Sequence, residues 1–205
     1  MFKEALIITM ISVLSREMPD INTKKRTQRR ESVVTLSKLA YKVAEREALI
    51  SRKVDSALLL ATMYRESRLN IKTPDGDCKA TGWGSSLRKS CPAKGVMQIM
   101  STNRKIFNKL PQSKLDPKIP NKISIKMLYE PELNIRLGYV ALHYWKDTCG
   151  GPPGVWMTAY RRGKCSRKFK INRIDKEAKI RCKIATIILK KTNSLPKNWK
   201  CSSEN

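Results

Sequence analysis

Apolar residues recur at every third or fourth position through most of this chain, a period typical of amphipathic helices rather than strands. The pattern is clear in residues 32–50, where the apolar positions are Val33, Leu36, Leu39, Ala40, Val43, Ala44 and Ala48. Four more stretches with helical patterns are residues 54–70, 131–149, 153–163 and 174–191. The chain has 205 residues, enough for one domain with a proper core. We therefore predict a mainly α fold.

The stretch 54–70, VDSALLLATMYRESRLN, predicts a buried helix with Asp55 as its N-cap. This helix would carry Glu66 near its C-terminal end. Burial and the negative end of the helix dipole both disfavour a carboxylate, so both raise the pKa of Glu66. A carboxylic acid that stays protonated near neutrality can act as a general acid, which makes Glu66 the first catalytic candidate. The alternative is a solvated Glu66 that pairs with Arg65 or Arg68.

Residues 1–31 form an N-terminal segment ahead of the first predicted core helix. Its apolar run from Ala5 to Leu14 is too short to be a stable membrane anchor. Two interpretations stay open: a secretory signal peptide, or a helix that is buried in the fold or binds a partner. Residues 19–30, PDINTKKRTQRR, are polar and basic and predict a linker.

The segment 71–94 contains several Gly and Pro breaks and predicts a loop. The chain has six cysteines, and their order suggests three local disulfides: Cys78–Cys91, Cys149–Cys165 and Cys182–Cys201. Other pairings are open to six cysteines. Zinc is the competing explanation, but no two cysteines lie close together and His143 is the sole histidine. We expect His143 to be a packing or surface residue, and the oxidised protein to act outside a reducing cytosol.

The chain is strongly basic, with a formal net charge of +26. Such an excess indicates an anionic partner: a nucleic acid, an anionic membrane or the phosphate polymers of a bacterial envelope. The predicted helix at 174–191 has Ile180, Ile184, Ile187 and Ile188 on one side and basic residues on the other. We expect it to dock on the domain with its basic face free for anionic polymers, and a DNA-binding helix is the rival interpretation.

Four short motifs occur in a fixed order along the chain. They are Glu66-Ser67, GVMQIM at residues 95–100, NIRLGYVAL at residues 134–142 and AYRRG at residues 159–163. Together they resemble the soluble lytic transglycosylase family, whose catalytic domain has the goose-type lysozyme fold. The resemblance implies that Glu66 is the only catalytic carboxylate. It also implies a group of residues that bind the sugar substrate: Ser67, Gly95, Met97, Gln98, Asn134 and Tyr160.

Two features depart from the family pattern. Arg161 stands where the family has Asn after the Ala-Tyr pair, and the segment between the Glu-Ser and Met-Gln pairs is long.

We expect the Tyr160 hydroxyl to hydrogen-bond Glu66, since a buried Tyr hydroxyl needs a partner. The expected domains are an N-terminal segment at 1–31, a catalytic domain at 32–165, and a basic helix and tail at 166–205 docked on it.

The reaction implied by the resemblance is cleavage of the MurNAc-β-1,4-GlcNAc bond of peptidoglycan with formation of 1,6-anhydro-MurNAc ends. It requires no cofactor or metal, and we expect a monomer in the periplasm or cell wall, or one delivered by a phage or a secretion apparatus. The first alternative is a goose-type-lysozyme-like muramidase, with Asp75 or Asp77 as a second carboxylate. The second is a non-catalytic, cationic protein that binds cell wall or nucleic acid.

Overall fold

The computed structural model describes residues 2–17, 23–46, 50–71, 93–100, 107, 119–120, 123–165 and 175–201. Their helices are α1 (Phe2–Glu17), α2 (Thr23–Arg46), α3 (Arg52–Ser67), α4 (Pro131–Cys149), α5 (Pro153–Arg162) and α6 (Lys176–Lys191). A short 3-10 helix spans Lys126–Tyr129, and two short strands, β1 (Ala93–Lys94) and β2 (Ile99–Met100), form an antiparallel hairpin. The predicted mainly α class is confirmed.

Helix α3 lies at the centre of the described fold. Every residue from Val54 to Tyr64 is buried, so this helix is covered on all faces rather than along one stripe. α2 and α6 pack against it, and α4 and α5 pack against each other beside it. The end of α3 that carries Glu66 is therefore fixed by the packing of several other elements.

The two ends of α3 are stabilised by side chains from elsewhere. Ser51, not Asp55, is the N-cap, because its hydroxyl accepts a hydrogen bond from the Val54 N–H. Asp55 lies inside the helix, where its carboxylate accepts from the Tyr139 hydroxyl of α4 at 2.9 Å. At the other end, the Arg29 guanidinium of α2 donates to the carbonyl oxygen of Arg68 at 2.9 Å. A cation there is favoured by the negative end of the helix dipole.

The linker predicted at residues 19–30 is wrong from Thr23 onward, because α2 begins there. Lys, Arg and Gln are good helix formers, and no Gly or Pro interrupts this stretch. α1 packs on α2 and α6. Its Leu6 and Met10 side chains are fully buried, as the interpretation of the N-terminus as a buried helix requires. No helix among the described residues is long and apolar enough to cross a membrane.

Two of the three predicted disulfides are confirmed. Cys149–Cys165 joins the end of α4 to the residues after α5, and Cys182–Cys201 joins α6 to the C-terminal tail. The tail is also held by a 2.7 Å hydrogen bond from the Gly154 N–H to the Cys201 carbonyl oxygen. Of the loop predicted at 71–94, residues 72–92, with Cys78, Cys91, Asp75 and Asp77, lie outside the described residues, and Ala93–Lys94 form β1.

Candidate active site

Glu66 lies in the last turn of α3 and is in contact with a buried arginine. Its side chain is 19% exposed, and its Oε1 atom accepts a hydrogen bond from a terminal nitrogen of Arg181 in α6. Arg181 is only 2% exposed, and its other terminal nitrogen donates to the Met157 carbonyl oxygen at 3.2 Å. Its Nε atom has no hydrogen-bond partner in the described part of the chain. The carboxyl group of Glu66 is therefore held in one orientation by a cation that itself has few acceptors.

The charges around Glu66 act in opposite directions. Burial raises its pKa above the ordinary value, whereas the guanidinium groups of Arg181 and Arg161 oppose that rise. Glu177 raises the pKa further and Arg65 lowers it. The net effect is an increase, in the direction that the sequence predicts. The alternative, a solvated Glu66 paired with Arg65 or Arg68, is not what the described residues show: Glu66 pairs with Arg181, and Arg65 binds Glu177 through its Nε atom at 2.8 Å.

The Met-Gln motif lies in the turn of the β1–β2 hairpin. Gly95 opens this turn with φ of 70°, and Gln98 closes it with φ of 51°. The backbone N–H and the side-chain amide of Gln98 both donate to the Gly95 carbonyl oxygen, at 3.1 and 2.7 Å. The side-chain carbonyl of Gln98 accepts no hydrogen bond within the described residues, and the residue as a whole is partly exposed. Gln98 is therefore available to contact a ligand, as the resemblance implies.

Asn134 of α4 anchors this hairpin and is fully buried. Its Oδ1 atom accepts from the Met97 N–H at 2.7 Å, and its Nδ2 atom donates to the carbonyl oxygens of Lys94 and Leu128. The side-chain oxygen and nitrogen of Asn134 both bond to backbone groups, and the residue is not exposed, so a sugar cannot reach it. Its predicted role as a substrate contact is replaced by a role in positioning the hairpin.

Gly95 and Met97 are also buried by α4 rather than open to a ligand. A Cβ atom at Gly95 would lie 2.5 Å from Cγ of Asn134, so packing on α4 excludes a side chain there. The resemblance implies a sugar contact at Gly95, whereas the contacts of Gly95 in the structure are with α4. Met97 is fully buried, and its side chain fills the space beside Gly138. Both residues pack the hairpin against α4.

Tyr160 of α5 completes the site from the other side. Its hydroxyl donates to the Met97 carbonyl oxygen at 2.7 Å, whereas the sequence predicted a hydrogen bond to Glu66. The hydroxyl has a single proton, and it donates that proton's hydrogen bond to the hairpin carbonyl. Burial and the negative charge of Glu66 nevertheless raise the pKa of Tyr160, as expected for a phenol close to that carboxylate. Tyr160 therefore joins the hairpin to the neighbourhood of Glu66.

Ser67 and Arg161 differ in how they can meet a substrate. The Ser67 hydroxyl donates back to the Met63 carbonyl oxygen at 3.0 Å and is largely buried, so it stabilises the end of α3. The Arg161 side chain is 50% exposed and pairs with Asp175 at 3.2 Å. Asp175 also caps α6 by accepting from the Ala178 N–H. Arg161, where the family has Asn, thus links α5 to α6 beside Glu66.

Arg181 is the residue of the site that sequence reasoning missed. The buried positions of α6 include Ala178, Cys182, Ala185 and Ile188, and Arg181 lies on the same face. An arginine within an apolar stripe requires a buried acceptor. That pattern was the signal, but it does not identify a partner 115 residues earlier in the chain.

Among the described residues, no group of three or more His, Cys, Asp or Glu side chains could hold a metal ion. The site consists of one carboxyl group, one buried guanidinium, one phenol and a strained hairpin turn. Such a set can exchange a proton with a ligand and can hold that ligand by hydrogen bonds.

Comparison with known protein families supplies an independent result. Residues 44–182 match the family model described as a transglycosylase SLT domain. The matched range includes Glu66, the hairpin, Asn134 and Tyr160, and it extends into α6 far enough to include Arg181. Comparisons with curated proteins and with solved structures find no significant match.

Proposed function

Because this chain belongs to the transglycosylase SLT domain family, we propose that it cuts peptidoglycan with Glu66 as its sole acid and base. Family membership makes it a lytic transglycosylase in kind, with a lysozyme-like domain and peptidoglycan as its substrate. The observation that supports the role of Glu66 is its position: a half-buried carboxyl group with a raised pKa that contacts Arg181 of α6 and lies near Tyr160.

In the first step, protonated Glu66 gives its proton to the glycosidic oxygen between MurNAc and GlcNAc. The C1–O bond breaks, the GlcNAc hydroxyl leaves, and positive charge develops at C1 of the muramyl ring. The Glu66 carboxylate then takes the proton from the C6 hydroxyl, and the C6 oxygen bonds to C1. The product has a 1,6-anhydro ring, Glu66 recovers its proton, and no water is consumed.

The other residues position the reactants. Asn134 and Tyr160 fix the hairpin beside Glu66 through the two backbone groups of Met97, at 2.7 Å each. The free side-chain carbonyl of Gln98 is the proposed hydrogen-bond acceptor for a sugar hydroxyl or N-acetyl N–H. Together they would hold the scissile oxygen within reach of Glu66, which proton transfer requires.

Glu66→Gln tests the role of Glu66, because the amide keeps the shape of the side chain and cannot donate an acidic proton. General acid catalysis contributes a factor of about 10² to 10⁴, so release of muropeptides should fall by at least about 100-fold. Glu45→Gln, the same change at an exposed position of α2, is the control and should keep full activity. Retention of more than about a tenth of the activity in Glu66→Gln would remove Glu66 from this role.

The products distinguish the proposed reaction from hydrolysis. Anhydromuropeptides, lighter than hydrolysis products by the mass of one water molecule, are expected in the mass spectrum of a peptidoglycan digest. A digest with only reducing-end muramic acid, and loss of activity in Asp75→Asn or Asp77→Asn, would identify a muramidase. Clearing of cells by Glu66→Gln as fast as by the wild type would indicate a non-catalytic, charge-driven action.

The basic surface suits an envelope setting. Lys176, Lys179 and Lys183 are exposed along one face of α6, where anionic polymers of the wall can reach them. The two disulfides are stable only outside a reducing cytosol. We therefore propose that the active protein works in the periplasm or cell wall, as an envelope enzyme, a secretion-system component or a phage lysin.

A further inference from the structure

Arg181 has a combination of properties that packing alone does not require. It is the charged residue on the buried face of α6, with 2% exposure, and its guanidinium contacts Glu66 and the Met157 carbonyl oxygen. Its Nε atom has no partner among the described residues. A buried guanidinium with so few acceptors is costly to keep, and the one acidic side chain in direct contact with it within the described residues is the proposed catalytic acid, Glu66.

The two steps of the proposed reaction require Glu66 in opposite protonation states. Glu66 must first be an acid that releases its proton readily, and then a carboxylate that points at the C6 hydroxyl. A buried carboxyl group without a cation would hold its proton strongly and release it slowly. A fixed positive charge against it favours the carboxylate and so lowers the cost of that release.

The other charged groups near Glu66 are less suited to this role. Glu177 of α6 lies near Glu66, but it is paired with Arg65 of α3: the Glu177 Oε2 atom accepts from a terminal nitrogen of Arg65 at 2.5 Å. From α5, Arg161 is half exposed and bound to Asp175, and the Tyr160 hydroxyl is bound to Met97. Arg181 makes a direct contact with the Glu66 carboxyl group from a position that solvent does not reach.

We propose that Arg181 is the positioning residue of this site: its buried guanidinium stabilises and orients the carboxylate that Glu66 becomes when its proton leaves. This inference rests on the proposed role of Glu66 as acid and base. It assigns to α6, beyond the last sequence motif at residues 159–163, a part in the chemistry as well as in the packing.

The test is the pH dependence of kcat/KM and kcat for Arg181→Met, with soluble glycan strands as substrate and anhydromuropeptides as the measured product. Without the cation, Glu66 keeps its proton to higher pH, so the high-pH limb of kcat/KM should move up by about 1–3 pH units. The Glu66 carboxyl group is then also a weaker acid, so the plateau of the kcat–pH profile should fall by about tenfold or more. A purely structural defect would lower the kcat plateau and leave the high-pH limb of kcat/KM at its wild-type pH.

Two further variants complete the test. Arg181→Lys keeps the charge but cannot span Glu66 and the Met157 carbonyl, so its limb should stay within about one pH unit of wild type while its plateau falls about tenfold. Arg162→Met removes a neighbouring α5–α6 ion pair with Asp175 and should leave the limb unchanged. If Arg181→Met does not fold by circular dichroism, the Lys variant decides, and a wild-type plateau in that variant overturns the proposal.

The outcomes separate this inference from the proposed function. An inactive Glu66→Gln together with an unshifted limb in Arg181→Met retains Glu66 as the acid and refutes the role of Arg181. A fully active Glu66→Gln refutes the proposed function itself, and the inference about Arg181 fails with it.

Discussion

The Tyr160 hydroxyl donates a 2.7 Å hydrogen bond to the carbonyl oxygen of Met97, and so α5 and the hairpin hold each other beside Glu66. Tyr160→Phe leaves that carbonyl unpaired in a buried place. We expect the free energy of unfolding to fall by about 1–3 kcal/mol and turnover to fall as the hairpin loses its position. Urea unfolding and muropeptide release measure the two effects. Tyr144→Phe is the control, and an equal rate in both variants would mean that Tyr160 only packs.

Gly138 of α4 should not tolerate the smallest side chain. Alanine in place of glycine inside a helix normally adds about 1 kcal/mol of stability. Here the new Cβ would lie 2.8 Å from Cγ of the buried Met97, and overpacking of this kind costs about 1–3 kcal/mol. We expect Gly138→Ala to be destabilised in thermal or urea unfolding. The double variant with Met97→Ala should be less sensitive to the change at Gly138, whereas additive effects would contradict the proposed clash.

The raised pKa of Glu66 predicts a pH-dependent difference in stability between the wild type and Glu66→Gln. Below the ordinary value of 4.5, Glu66 is protonated in both the folded and the unfolded state, and the pH has no effect through this group. As the pH rises from there through the folded pKa, the folded state binds more protons, so the wild type loses stability. Each unit of pKa increase accounts for about 1.4 kcal/mol.

We therefore expect Glu66→Gln to gain stability relative to the wild type as the pH rises from about 4 to neutrality. Urea unfolding of both proteins at several pH values measures this difference. Glu45→Gln, at an exposed position, serves as the control for the loss of one negative charge. A difference that stays constant over this range would mean that the pKa of Glu66 is not raised.

The third disulfide is open to a direct measurement. With Cys149–Cys165 and Cys182–Cys201 formed, Cys78 and Cys91 are the two cysteines left to pair. Peptide mapping of the unreduced, alkylated protein should recover them as one linked peptide pair. Recovery of either cysteine in alkylated form would refute the pairing.

The exposed lysines of α6 predict salt-sensitive capture of the wall. Replacement of Lys176, Lys179 and Lys183 by Gln should weaken binding to isolated cell walls and flatten its dependence on salt. A matched variant on α2, with Arg30, Lys38 and Lys42 replaced by Gln, removes the same charge from another face. Equal losses in the two variants would show that overall charge, and not the α6 face, captures the wall.

Most helices, and the position of Glu66 at the end of α3, could be predicted from the sequence because they depend on local patterns. Apolar periodicity located α3 and α4, and the ordered motifs pointed to Glu66 and to the residues that form the hairpin turn, although the hairpin itself was not predicted. Errors arose where a tertiary contact decided the outcome. Charge density suggested a linker before Arg30, but helix propensity and the contact of Arg29 with the end of α3 made it part of α2. The choice of Ser51 over Asp55 as N-cap depended on the Asp55–Tyr139 contact between α3 and α4.

The partners within the site were beyond local patterns for the same reason. The Met97 N–H donates to Asn134, 37 positions away, and the Met97 carbonyl oxygen accepts from Tyr160, 63 positions away. Both residues carry the family motif, but their observed contacts are with the backbone and not with Glu66. A motif shows which side chains are present, whereas their partners depend on how the helices pack.

The separation between Glu66 and Arg181 also affects the order in which the site can form during synthesis. The chain is made from its N-terminus, and α3 emerges early, whereas Arg181 follows 115 residues later. The disulfide that fastens α6 needs Cys201, which comes later still. A nascent or prematurely ended chain therefore carries the acid without its cation. The Glu66–Arg181 pair can form only after the chain has been made as far as α6, so the site assembles later than the helix that carries its acid.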